Sequence, residues 1–183
     1  MRSMKRIALL IPILLLACAG GSAGNAESVG AMASDFTFED INPASVTFGK
    51  KITLSDAYAE DGVLVNFLAS WCGYCWKELP ILQKMADAGE VKVLGMAADE
   101  YGEPPDLVMS MVARKKLTLP ILWVGAEAAL ELEKRYAYQT LPATYLIRSD
   151  GSIAKLVEGA VTPERLREEI ARAFQGIEET VSR

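Results

Sequence analysis

Seven residues, Val63-Leu64-Val65-Asn66-Phe67-Leu68-Ala69, run almost unbroken apolar, and a strand made of them buries both faces. Such a strand needs helices above and below it, which directs the chain to an α/β architecture. The flanking pattern agrees. Val91–Ala97 reads as a second buried strand, with helical spacing between the two over Cys72–Ala88 and Gly89 as its stop. Pro105–Lys116 is amphipathic, opening with Pro and closing on Arg114-Lys115-Lys116 as a helix dipole favours. Ile121–Val124 reads as a short strand and Ala126–Tyr136 as a helix. Thr144–Ile147 and Ser152–Val157 flank the turn pair Asp150-Gly151 and read as a hairpin. Thr162 caps a last helix through Phe174, with Pro163 at its first position. Upstream, Phe36–Phe38 and Val46–Phe48 are expected to pair as a short hairpin, followed by one or two helical turns over Ile52–Tyr58. The string predicts a central mixed sheet with helices on both faces, preceded by a short N-terminal β-hairpin extension.

The 183 residues suit one domain, and a hydrophobic content of 51% excludes a disordered chain. A net charge of −5 without a basic stripe argues against nucleic acid as a partner. There is no histidine, which removes Ser-His-Asp and Cys-His catalysis and His-ligated metal or haem. Nothing calls for a cofactor.

The first six residues carry three basic groups, and Ile7–Ala19 is apolar or small throughout. A helix of those thirteen residues spans about 20 Å, short of the roughly 30 Å hydrocarbon core. Basic, apolar, then small is the order of a secretory signal peptide, so export to the periplasm or the outer face of a bacterial membrane is expected. Leu15-Leu16-Ala17-Cys18 resembles a lipobox, in which residues 1–17 are removed and Cys18 becomes a lipidated N-terminus. A small-x-small cleavage site nearby and an uncleaved anchor are the alternatives. The expected organisation is a signal over 1–18, a flexible linker over 19–34, the domain over 35–176 and a tail over 177–183.

Cys72 and Cys75 are the two cysteines of the body, placed where the buried strand ends and a helix begins. An i,i+3 pair at a helix start brings the Cα atoms roughly 5 Å apart, within reach of a disulfide. At the helix N-terminus Cys72 gains from unpaired N–H groups and the dipole, which favour its thiolate. Cys75, one turn inside, is placed to resolve a mixed disulfide. Two cysteines without histidine supply half a tetrahedral metal site, so no metal is expected. A purely structural disulfide remains the alternative, although so short a loop stabilises little.

The run Val65-Asn66-Phe67-Leu68-Ala69-Ser70-Trp71-Cys72-Gly73-Tyr74-Cys75-Trp76-Lys77-Glu78-Leu79-Pro80 closely resembles the active-site segment of thioredoxin-like proteins, and most of all the exported TlpA/ResA group. The resemblance continues through Thr140-Leu141-Pro142-Ala143-Thr144-Tyr145-Leu146-Ile147 and reaches Gly159, covering about residues 35 to 175. It implies a thioredoxin-like fold and a protein thiol–disulfide oxidoreductase. Cys72 would be nucleophile and Cys75 the resolving thiol, with Pro142 a cis-proline facing the sulfurs. Leu141 would offer backbone to an extended substrate segment, with Trp71 and Tyr74 flanking it. Asn66 stands where cytoplasmic thioredoxin has a proton-accepting Asp, and Glu78 matches the residue thought to serve instead in the exported group. A solvated Glu78 beside Lys77, and a partly buried packing role for Trp71, are the plainer readings. Pro80 is expected to kink its helix. The resemblance favours the reducing direction, toward exported protein disulfides such as apocytochrome c in cytochrome c maturation. Electrons would come from a membrane thiol-transfer protein of the CcdA/DsbD kind. A thioredoxin-like peptide or metal-partner binding module without turnover, or an oxidant or isomerase using the same cysteines, are the rivals.

Overall fold

The structure, a computed structural model, describes residues 28–98 and 104–175. The signal segment, Cys18, most of the linker and the 177–183 tail lie outside the described residues. Seven strands and five helices follow in the order β1 (Thr37–Glu39), β2 (Lys51–Thr53), α1 (Leu54–Tyr58), β3 (Val63–Leu68), α2 (Cys75–Asp87), β4 (Val93–Ala98), α3 (Pro105–Lys115), β5 (Ile121–Val124), α4 (Ala126–Tyr136), β6 (Ala143–Ile147), β7 (Ile153–Glu158) and α5 (Pro163–Gln175).

Five strands form one sheet in the order β5-β4-β3-β6-β7. β3, β4 and β5 run parallel, while β6 and β7 are antiparallel to their neighbours. β3 lies at the centre, and all six of its residues are buried. Its alternating side chains divide the core. Leu64 and Leu68 join the cluster under α2, α3 and α5, with Leu79, Leu82, Val108, Val112, Leu166 and Ile170. Val63, Val65 and Phe67 join the cluster under α1 and α4, with Leu54, Ala57, Leu132 and Tyr136. Helices therefore cover both faces, as an all-apolar central strand demands.

The N-terminal hairpin forms as expected, but with a different second strand. β1 pairs with Lys51–Thr53, and Val46–Phe48 lies in the turns between them. The buried Asp40 carboxylate causes this: it accepts from the Asn42 and Ile121 backbone N–H groups (3.0 Å each) and the Thr47 hydroxyl (2.7 Å). Two successive turns, Ser45 N–H to Asn42 O and Lys50 N–H to Thr47 O, use up the run that looked like a strand. Asp40 also bridges to Leu122, covering the free edge of β5. At the opposite edge Gly30 N–H donates to Ile153 O and Ile153 N–H donates to Ala31 O, so residues 30 and 31 lie against the start of β7.

Candidate redox site

The site lies at the C-terminal end of β3, where the chain turns into α2. Cys72 N–H donates to Ala69 O at 3.1 Å, and the Trp76 indole N–H reaches both Ala69 O (3.1 Å) and Ser70 O (3.0 Å). These bonds pin the Ala69–Cys72 turn to the first turn of the helix. Trp76 holds the cysteine loop, a role its place in the sequence did not suggest.

α2 begins at Cys75, not at Cys72 as the periodicity predicts; Cys72 sits in the turn just before it. In a continuing helix the Cys75 N–H would seek a carbonyl four residues back, but here it donates to Cys72 Sγ at 3.2 Å. The physical expectation survives this correction. One of the unpaired donors at the helix start ends on the first sulfur, and the aligned dipoles behind it favour negative charge there. The two sulfurs are joined as a disulfide with Cα atoms 5.4 Å apart. Cys75 is fully buried and Cys72 shows 5% of its surface. Trp71 and Tyr74 form an exposed rim beside it, at 52% and 63%, and Lys77 lies over the Tyr74 ring, 5.1 Å from its centroid.

Leu141–Pro142 is a cis peptide. Leu141 packs against the cluster that contains both cysteines, and Pro142 O accepts from Gly159 N–H at 2.9 Å. This fixes the proline loop to the 159–162 segment.

One turn beyond Cys75, Glu78 is only 2% exposed, so it is not the solvated carboxylate beside Lys77. Burial away from water pushes its carboxyl up from 4.5 to about 7, against the opposing pull of the Asn66 side chain and the Val161 backbone. Asn66, facing α2 from the middle of β3, donates through Nδ2 to Glu78 Oε2 (3.1 Å) and to Thr144 Oγ1 (2.9 Å). Thr144 is its direct partner across the β3–β6 ladder. Thr144 and Val161 were not foreseen as part of the site, because both are distant from the cysteines along the chain. Among the described residues no group of acidic, cysteine or histidine side chains is arranged to hold a metal ion.

A central mixed sheet, a Cys-x-x-Cys at a strand-to-helix junction and a cis-proline loop packed against it define a thioredoxin-like thiol–disulfide oxidoreductase. The chain belongs to the Redoxin family, whose model matches residues 28–173. Thiol-disulfide oxidoreductase ResA of Geobacillus thermodenitrificans is 28% identical over 179 residues, covering 93% of this chain and 97% of that one. StoA from Bacillus subtilis superposes with a TM-score of 0.60 at 28% identity, covering 74% of this chain and 96% of that one. The fold alone is shared with a thiol:disulfide interchange protein DsbE from Chlorobium tepidum (TM-score 0.66, 21% identity, 81% and 99% covered).

Proposed function

We propose that the protein is an exported, membrane-tethered reductant of disulfides in other exported proteins, apocytochrome c being a partner of the right kind. The observation that carries the chemistry is the Cys75 N–H ending on Cys72 Sγ while Cys75 itself is sealed from solvent. It supports the following order of events. The Cys72 thiolate attacks a partner disulfide, that S–S bond breaks, and the far sulfur leaves as a thiolate. Cys75 gives its proton to Glu78 and attacks the Cys72 sulfur, releasing the second partner sulfur. The partner gains two electrons and the Cys pair becomes the disulfide. A carboxyl near 7 is well matched to this duty, because it is ionised in part yet basic enough to take a thiol proton.

An extended segment would lie between the Trp71–Tyr74 rim and the Leu141 backbone, adding its main chain beside the proline loop. The basic-apolar-small leader supports export, and the lipobox-like Leu-Leu-Ala-Cys18 supports a lipid tether. A membrane thiol-transfer protein would return the electrons.

The test is covalent capture. Cys75→Ser is expected to accumulate mixed disulfides through Cys72, and Cys72→Ser none. Cys72 alkylation should show a thiol titrating well below 8.5; a midpoint at 8.5 would overturn the activated nucleophile. A redox titration of the pair separates donor from acceptor, and a mass measurement of the mature N-terminus decides the fate of Cys18.

A further inference from the structure

Among the described residues, three buried side-chain oxygens lack a hydrogen-bond partner: Asn66 Oδ1, Glu78 Oε1 and Ser70 Oγ. Asn66 lies on β3, Glu78 in the first turn of α2 and Ser70 in the connection between them, the same stretch of chain that carries the disulfide. Buried polar atoms are nearly always paired, so such a concentration marks a place where something other than stability sets the chemistry. Asn66 spends both amide protons, on Glu78 and on Thr144. Asn66 Oδ1 and Glu78 Oε1 are thus two buried acceptors without a hydrogen bond, an arrangement that a single entering proton relieves.

We propose that Asn66 is a positioning residue for the resolving step: locked by Thr144, its amide holds Glu78 Oε2 and leaves Oε1 as the atom that takes the Cys75 proton. This rests on the reading of Glu78 as proton acceptor. Asn66 cannot titrate, and it touches neither sulfur among its hydrogen bonds, so its effect passes wholly through the carboxyl. The three contributors come from separate elements, Asn66 from β3, Thr144 from β6 and Glu78 from α2, which makes the carboxyl's orientation a property of the assembled sheet. The groups that shift Glu78 are its own burial, Asn66 and the Val161 backbone. Cys75 is on its own helix and Cys72 in the turn before it, both joined in the disulfide, and the Lys77 ammonium is directed to the Tyr74 ring. From β3 and the 159–162 segment it is faced by Asn66 and Val161, and Thr144 of β6 reaches it only through Asn66; none of the three titrates.

The experiment measures the rate at which a preformed Cys72–peptide mixed disulfide is resolved, as a function of pH, in the full chain. Wild type should show an acidic limb near pH 7. In Asn66→Leu the amide bond that favours the ionised carboxyl is gone, so the limb should move up by about one pH unit, with resolution slowed about tenfold on the limb. Alkylation of Cys72 should stay within about twofold, since the nucleophile is not touched. Thr144→Val should move the limb the same way by less. A folded Asn66→Leu with the limb unmoved overturns the proposal; if that variant does not fold, an unmoved limb in Thr144→Val overturns it. Glu78→Gln is the separate arm. If it keeps the limb, the reading of Glu78 falls; if it loses the limb while Asn66→Leu does not move it, only the role of Asn66 falls.

Discussion

The two faces of β3 are equally buried and built to opposite purposes. Asn66, with no exposed surface, turns to α2 and joins Glu78 and Thr144 in a polar group with unpartnered oxygens. Phe67, one residue on and 1% exposed, turns to the other face. There it meets the rings of Tyr136, Tyr138 and Tyr145 at centroid distances of 5.2, 4.9 and 5.8 Å. Two hydroxyls of that aromatic cluster are used: Tyr145 donates to Tyr136 O, and Tyr136 to Ser34 O. One face is closed by dispersion and satisfied hydrogen bonds. The other keeps a carboxyl, one turn beyond Cys75, in a place that disfavours its charge. A pleated strand makes this division possible, because neighbouring residues never share a side.

Three substitutions probe that contrast. The largest effect is expected from Phe67→Ala on the aromatic face. It should lower the unfolding free energy by about 3–5 kcal/mol, the usual result of removing a buried ring, as read by denaturant titration. The fraction that remains folded should keep the pH dependence of resolution. A shifted pH limb there would mean that the faces are not independent.

Next comes Glu78→Gln, with the opposite sign. The Glu78 carboxyl titrates at 4.5 when exposed and near 7 in the fold. Between those values the unfolded chain ionises while the folded one holds the proton, so stability falls as pH rises from about 4.5 to about 7 and is level on either side. The full cost is roughly 3 kcal/mol above pH 7. Glu78→Gln should therefore be more stable than wild type at pH 8 by up to that amount, and no more stable at pH 4, while losing speed in the resolving step. Equal gains at both pH values would show that burial of the charge is not the cause.

The smallest effect belongs to Tyr145→Phe, which removes one hydroxyl that donates to Tyr136 O. A loss of about 1 kcal/mol is expected, since the ring contacts remain, with no change in cysteine chemistry. A loss several times larger would show that the hydroxyl, and not the packed rings, holds the aromatic face together.

Much of this arrangement was legible in the sequence because it is local. The apolar run of β3 and the cysteines at its end follow from neighbours along the chain, whereas Glu78 and Pro142 were singled out by the resemblance to thioredoxin-like proteins. The helices starting at Pro105, Ala126 and Pro163 begin where the sequence pattern placed them, the last one capped by Thr162. The hairpin partner of β1 was misread because Val46–Phe48 has strand composition, whereas turns anchored on buried Asp40 draw it out of the ladder. Composition carries no account of a carboxylate that finds its donors 7 and 81 residues away.

The chain by itself determined that a thiol pair would cap a helix at the end of a buried strand, because periodicity and helix-end chemistry act over a few residues. Only the tertiary structure decided what stands beneath that pair. Asn66, Glu78 and Thr144 meet across separations of 12 and 78 residues. Whether a glutamate is solvated or shut away from water, and so whether it titrates near 4.5 or near 7, depends on what the rest of the fold packs over it.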